Sequence, residues 1–287
     1  MTGNRGTPTG YQPSAIRDEG RGARERPDSN AVERLAFPPR PSSLVSRPSV
    51  PVPHPSSLPL SLSIVVPTLD EAAGIVAFLA PLQALRARGV EIVLADGGSR
   101  DGTVAAATPL VDRVISAQRG RASQMNAGAA VSAAEVLLFL HADCTLPEQA
   151  DHLILHGLAS SQLRWGRFDV RLSGAAMMLR LVERTMNLRS RLTGICTGDQ
   201  GLFVERALFE ERGGFPEIEL MEDVAMSSML RKSGAPLCLS SSLLTSSRRW
   251  ESNGIWRTIV LMWRLRLAYF LGSEPHRLAE LYYGRKK

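Results

Sequence analysis

Leu62-Ser63-Ile64-Val65-Val66 is a short, largely β-branched run ended by Pro67, and Thr68-Leu69-Asp70-Glu71 follows it with a polar turn carrying two carboxylates. An apolar run of this length, closed by a breaker, reads as a buried strand. The design returns at Glu91-Ile92-Val93-Leu94-Ala95, this time before Asp96-Gly97-Gly98. Between the two runs Ile75, Phe78, Leu79, Leu82 and Leu85 keep helical spacing, which predicts one helix over 72–88 stopped by Gly89. A helix from Thr103 behind Asp101, a strand over 113–116, a helix over 123–131 and a strand over 135–140 complete the series. Strand and helix alternate, so the expectation is an α/β fold whose mostly parallel central sheet carries helices on both faces. Such sheets bind ligands off the carboxyl ends of their strands.

Those ends are rich in acids. The first strand delivers Pro67-Thr68-Leu69-Asp70-Glu71, the second Asp96-Gly97-Gly98-Ser99-Arg100-Asp101-Gly102-Thr103, and the fourth His141-Ala142-Asp143. A single aspartate at such a place ordinarily caps a turn. Three carboxylate-bearing loops at one rim suit a base N–H, ribose hydroxyls and, at Asp143, a divalent cation bridging to a diphosphate. Arg119 and Arg121 flank Gly120; either they meet phosphate through their forked donors or they belong to a solvated loop.

Composition narrows the setting more than the function. The 287 residues are 44% hydrophobic and 22% charged, with a formal net charge of +6 and a pI near 9.7. A basic balance draws nucleic acid, anionic lipid or a phosphorylated substrate, or reflects no more than surplus surface arginine. Eleven of the eighteen prolines precede Ser61, among Arg, Ser and Gly, which predicts a disordered tail over 1–58. Cys144, Cys196 and Cys238 lie far apart with no C-x-x-C pair, so neither a zinc knuckle nor a disulfide framework is suggested, and a reducing cytoplasm is expected. The first ten residues are too polar for a secretory signal. No segment reaches the roughly 18 uninterrupted apolar residues of a membrane span.

Ser63–Glu71, then Asp96–Thr103, then Leu140–Asp143 resemble, in order and spacing, the nucleotide-sugar half of family-2 glycosyltransferases of the GT-A fold, a Rossmann-like architecture. The resemblance implies that Pro67, Thr68 and Glu71 face the nucleoside, that Asp96 and Gly97 meet the base, and that Arg121 and Ala142 belong to the same donor site. It also implies Mg or Mn on Asp143. His141 stands where the family has the first aspartate of its Asp-x-Asp element, leaving an imidazole as the second ligand. Gly198-Asp199-Gln200-Gly201, Gly213-Gly214-Phe215-Pro216 and Met221-Glu222-Asp223-Val224 resemble the acceptor half. Asp223 would then be the general base before a helix over 224–232, Glu222 a group orienting the acceptor or an amide, and Asp199 and Gln200 neighbours of acceptor or diphosphate. Standing alone, two acids at a helix start are also what dipole compensation favours. Arg248-Arg249-Trp250 resembles the basic and aromatic element that closes over the diphosphate, with Arg249 and Trp250 at the acceptor or diphosphate.

The His-Ala-Asp, Gly-Asp-Gln and Leu-Met-Glu-Asp forms are similar to a small bacterial single-domain branch sometimes named for carotenoid-acid (diaponeurosporenoate-type) glycosyltransferases. The resemblance covers about residues 60–284 and implies metal-dependent, inverting transfer from a nucleoside-diphosphate sugar, foremost a UDP-sugar, to an unidentified acceptor such as a lipid or a carotenoid acid. It divides a catalytic domain over 59–287 into a nucleotide-sugar half (59–160), an acceptor half (161–252) and a C-terminal helical segment (253–287). In that last segment Arg257 and Arg264 share a helical face while Arg266 points to the opposite one, at about 100° per residue. The helix either packs on the core alone or also touches anionic lipid, which places the chain in the cytoplasm or peripherally on the cytoplasmic face of the membrane.

Three other functions compete. A sugar-phosphate nucleotidyltransferase would follow its first strand with a Gly-rich loop bearing Arg or Lys, where this chain has Pro67–Glu71. A basic nucleic-acid-binding protein would act through its tail with steep salt dependence; no nucleic-acid partner is expected. A catalytically weakened paralogue is the alternative that His141 keeps open.

Overall fold

The structure is a computed structural model that describes residues 60–284; the tail expected over 1–58 lies outside the described residues. Eight strands build one sheet: β1 (Leu62–Thr68), β2 (Glu91–Asp96), β3 (Arg113–Ser116), β4 (Val136–Phe139), β5 (Cys144–Thr145), β6 (Trp165–Leu172), β7 (Leu202–Glu205) and β8 (Leu237–Thr245). Their order is β3-β2-β1-β4-β7-β6-β8-β5. The early helices are α1 (Ile75–Leu79), α2 (Gln83–Arg86), α3 (Thr103–Ala107), α4 (Arg121–Val131) and α5 (Ala150–Ser161). They are followed by α6 (Met177–Thr193), α7 (Arg206–Glu211), α8 (Glu222–Leu230), α9 (Arg248–Asn253), α10 (Ile255–Phe270) and α11 (Pro275–Tyr283).

Both faces of the sheet are covered, and β1 shows why its run is so apolar. Successive side chains point to opposite faces. Ile64 and Val66 join the cluster built with α1, α2 and α5 through Ile75, Leu79, Leu85, Ile154 and Leu158. Val65 joins the other, with α4, α7 and α8 through Met125, Leu208 and Met226. The sheet is mostly parallel, as expected, with β1 paired parallel to β2 and β4, β2 to β3, and β6 to β8. Its middle reverses: β7 runs antiparallel to β4 and β6, and β5 antiparallel to β8. Apolar runs carry no direction, so these reversals have no mark in the sequence pattern.

Three expected helices change their bounds. The single helix over 72–88 is two short ones, α1 and α2, separated at Ala80–Leu82. Pro81 explains the break, because it has no N–H to give the preceding turn and its ring crowds that turn's carbonyl. Helix α4 begins at Arg121 rather than Ser123, which puts Arg121 in a first turn instead of a loop, and α8 begins at Glu222 rather than Val224.

α4 lies against β1 only because residue 128 lacks a side chain. A Cβ on Gly128 would stand 2.3 Å from Cγ1 of Val65, a β-branched neighbour that cannot swing aside. Gly128→Ala is expected to lower unfolding free energy by about 1–3 kcal/mol through overpacking, measurable as a reduced urea midpoint with an unchanged slope.

Candidate active site

Parallel pairing carries the loops after β1, β2 and β4 to one edge: Thr68 is the register partner of Asp96, and Val65 that of Phe139, two residues before His141. The loops then lace together. Ser99 Oγ accepts from the Asp70 N–H at 2.9 Å, Thr103 Oγ1 from the Glu71 N–H at 2.8 Å and Asp101 from the Ala72 N–H at 2.9 Å, while Asp70 accepts from the Arg100 N–H at 2.8 Å. Much of the second acidic loop therefore serves to hold the first. Asp70 takes a left-handed conformation (φ 54) within this lacing, a local cost that the surrounding bonds sustain.

Gln124 of α4 completes the rim. Its Nε2 donates to the carbonyls of Thr68 (2.7 Å) and Ala95 (2.8 Å), tying the ends of β1 and β2. A Cβ on Gly97 would lie 3.0 Å from that amide, which accounts for the glycine. Two oxygens in the same place have no partner among the described residues: Thr68 Oγ1 and Asp96 Oδ1 are buried and unbonded, while Asp96 Oδ2 accepts from the Gly98 and Ser99 N–H groups at 3.0 Å each. Buried oxygens without a protein partner are uncommon, and these two stand where β1 and β2 end.

The fourth-strand loop and the basic element meet through β5 and β8. Cys144 pairs with Thr245, and the Ser246 N–H donates to the Asp143 carbonyl at 3.1 Å, so Asp143 stands beside the segment leading to Arg248, Arg249 and Trp250. The Arg249 guanidinium lies 4.4 Å above the Tyr282 ring of α11.

A cleft of about 980 Å³ collects these groups. Pro67, Thr68, Glu71, Arg121, His141, Ala142, Asp143, Asp199, Arg249 and Trp250 all line it, with Gln124 and the C-terminal helices closing one side. Asp96, Gly97, Gln200, Glu222 and Asp223 are not among its lining residues. Gln200 is fully buried, and its side-chain oxygen accepts from the Thr197 N–H at 3.2 Å. Glu222 is buried with its carboxylate 3.8 Å from Arg121. Asp223 accepts from the Gly198 N–H and the Val224 N–H, each at 2.7 Å, and thereby anchors the loop that carries Asp199. Met221, just before this pair, is left-handed (φ 71).

Charge is concentrated and partly desolvated here. Burial and the negative field of Asp143 push Asp199 up to about 6, and burial with Asp223 pushes Glu222 up to about 7. Burial and the Arg121 cation hold His141 down at about 4, so its imidazole is neutral at pH 7. The ring lies so close to Gly198 that a Cβ there would stand 2.1 Å from its Cε1. Burial also lowers Arg266 of α10, opposed by the carboxylates of Asp223 and Asp199. Arg266 is thus a cation of this centre that sequence reasoning did not assign, although its phase, opposite to Arg257 and Arg264, marked it. Gln124 was missed as well; its signal was a polar residue one turn before Gly128 on the packed face of α4.

Among the described residues no group of three His, Cys, Asp or Glu side chains is disposed to hold a metal ion. The exposed Asp143 carboxylate and the neutral His141 imidazole are oxygen and nitrogen donors of the kind a divalent cation accepts.

Residues 63–160 match the model described as glycosyl transferase family 2. The fold is also that of solved transferases. A mannosyltransferase from Pyrobaculum calidifontis, solved with GDP-Man and Mn2+, shares 20% identity over 79% of this chain and 71% of its own, at a TM-score of 0.55. S. aureus TarS 1-349 shares 16% identity over 66% of this chain, at a TM-score of 0.53; the match spans 61% of that fragment's length. Its complex with UDP-GlcNAc aligns at a TM-score of 0.54, with 16% identity over 65% of this chain and 58% of that one. No curated protein matches the chain in sequence. The fold is GT-A, and the family-2 match lies within the first half of the described residues.

Because Asp199 is raised from 3.8 to about 6, the folded state takes up its proton more readily than the unfolded state, and wild type loses stability as pH rises through that window. Asp199→Asn, which does not titrate, is expected to melt higher than wild type at pH 8. The advantage should shrink as pH falls through about 6 and be gone below 3.8, as thermal scans across pH will show.

Proposed function

We propose that this chain transfers a sugar from a nucleoside-diphosphate sugar, foremost a UDP-sugar, to an acceptor hydroxyl with inversion at the anomeric carbon. The observation that carries the reading is the single cleft shared by Thr68, Arg121, His141, Asp143, Asp199 and Arg249, at the edge where Thr68 Oγ1 and Asp96 Oδ1 lie unpartnered. The nucleoside lies at that edge, its donors meeting the two free oxygens. The diphosphate faces Arg121 and Arg249, whose guanidinium groups offset its charge as the glycosidic bond breaks. Asp143 and His141 would hold a divalent cation, Mg or Mn, which would supply positive charge to offset that of the leaving diphosphate. The cation reading is supported by the Mn2+ of the Pyrobaculum mannosyltransferase.

Asp223 takes the acceptor proton while the hydroxyl attacks the face opposite the departing diphosphate, and Glu222 steadies Arg121. A specific observation favours a second reading. Asp199 lines the cleft, whereas Asp223 stands behind it with both oxygens engaged, so Asp199 is the alternative base. The acceptor is lipid-like, and the chain works peripherally at the cytoplasmic face of the membrane; a carotenoid acid would instead attack through its carboxylate, need no base, and leave Asp223 to position it. Apolar residues exposed along the C-terminal helices support this part of the reading.

Purified protein is expected to release UDP from at least one UDP-sugar with Mg or Mn, with GDP- and dTDP-sugars run alongside, and Asp143→Ala should abolish that release. Asp223→Asn should slow it about 100- to 10,000-fold, the usual loss for a positioned base. If Asp199→Asn causes that loss instead and removes the limb of the rate profile near pH 6, the base is Asp199. No release from any donor, with no nucleotide bound, would overturn the transferase reading.

A further inference from the structure

Helix α10 has two faces of the same chemistry. One packs inward, with Thr258 and Leu265 buried and Leu261, Met262 and Ala268 against the core. The other consists of Trp256, Val260, Trp263, Leu267 and Phe270, exposed by 64, 54, 72, 62 and 65%. Steps of four and three residues put all five on one stripe directly opposite the core. Single exposed apolar residues are ordinary, but a four-turn stripe with two tryptophans marks an interaction surface. Helix α6 repeats the pattern with Met177, Leu181, Leu188 and Leu192, exposed by 54–88%. The two helices are neighbours, since Ile255 and Ile259 of α10 pack in one cluster with Val182 and Met186 of α6.

Charge selects the occupant. Arg257 and Arg264 flank the α10 stripe, Arg184 sits on the exposed side of α6, and none of the three has an ion-pair partner among the described residues. No acid lies on α10 at all. A second copy docked through this face would set arginine against arginine over the same apolar stripe, whereas an anionic bilayer offers phosphates at the level of the arginines and acyl chains beneath the tryptophans. No helix among the described residues is long and apolar enough to cross a membrane, so the fit is to its surface. Thr258 and Met262 of α10 also line the cleft, so the docking helix is at the same time a wall of the active site.

We propose that α6 and α10 form a docking surface for an anionic lipid bilayer, with Trp256 and Trp263 at the headgroup boundary and Arg184, Arg257 and Arg264 on lipid phosphates. Its purpose, delivery of the acceptor out of the bilayer, rests on the lipid-like acceptor proposed above; the docking itself does not.

The test is co-sedimentation of the full chain with phosphatidylcholine vesicles with and without phosphatidylglycerol, without donor, while tryptophan fluorescence is followed. The chain should partition onto the anionic vesicles with a blue shift. Trp263→Ser with Leu267→Ser, and separately Arg257→Glu with Arg264→Glu, should each weaken partition about tenfold or more. UDP release measured without vesicles should be unchanged in both pairs, which separates failure of docking from failure of the transferase reading. Absence of partition, partition equal in wild type and both variants, or a dimer by light scattering that Trp263→Ser dissolves with no vesicle binding would each overturn the proposal.

Discussion

Gln124 reaches from α4 into the seam between β1 and β2, and its amide donates to the carbonyls of Thr68 and Ala95 where the parallel ladder ends. Without it the Thr68 carbonyl, which also accepts from the Gly97 N–H at 2.9 Å, and the Ala95 carbonyl would each lose a bond, at about 0.5–1.5 kcal/mol apiece. The bond does more than stabilise. It holds two strand ends at one separation, and the loops laced above them inherit that spacing. Gly97 leaves room for the amide and Gly128 lets α4 lie close enough to β1 to deliver it, so two glycines and one glutamine set the geometry of the rim.

Over that rim the chain gathers more charge than stability alone would favour. Asp143, Asp199, Glu222 and Asp223 share a partly buried space with Arg121, Arg266 and a neutral His141. Burial that raises some carboxylates and keeps an imidazole neutral is an expense typical of a site that handles charge supplied from outside.

The sequence showed the first half of the fold clearly because each strand there is a short apolar run closed by Pro, Gly or Asp. It also showed which loops meet, since parallel strands send their carboxyl ends to one edge. The break at Pro81 was visible in the chain but was overridden by the helical spacing of Leu82 and Leu85. The antiparallel insertion of β7 between β4 and β6 was not visible, because pairing direction is decided by crossovers, not by local pattern. Among the candidate residues, most of those on loops that return to the rim line the cleft. Motif spacing could not separate the wall of the cleft, where Asp199 lies, from the layer behind it, where Glu222 and Asp223 lie, because that depends on how α8 is rotated. Gln124 and Arg266 escaped because each sits within a helix, where a polar residue ordinarily faces water.

On the proposed function, the edge at Thr68 and Asp96 receives a nucleoside. Calorimetric titration of UDP and of GDP into wild type and Asp96→Asn tests it most directly. Asparagine can still accept from the Gly98 and Ser99 N–H groups, but it turns an NH₂ toward the position of the free Oδ1. Saturable binding of one nucleotide by wild type, weakened about tenfold or more in Asp96→Asn, is the predicted result. Binding unchanged by the substitution, or none to either nucleotide, would contradict it.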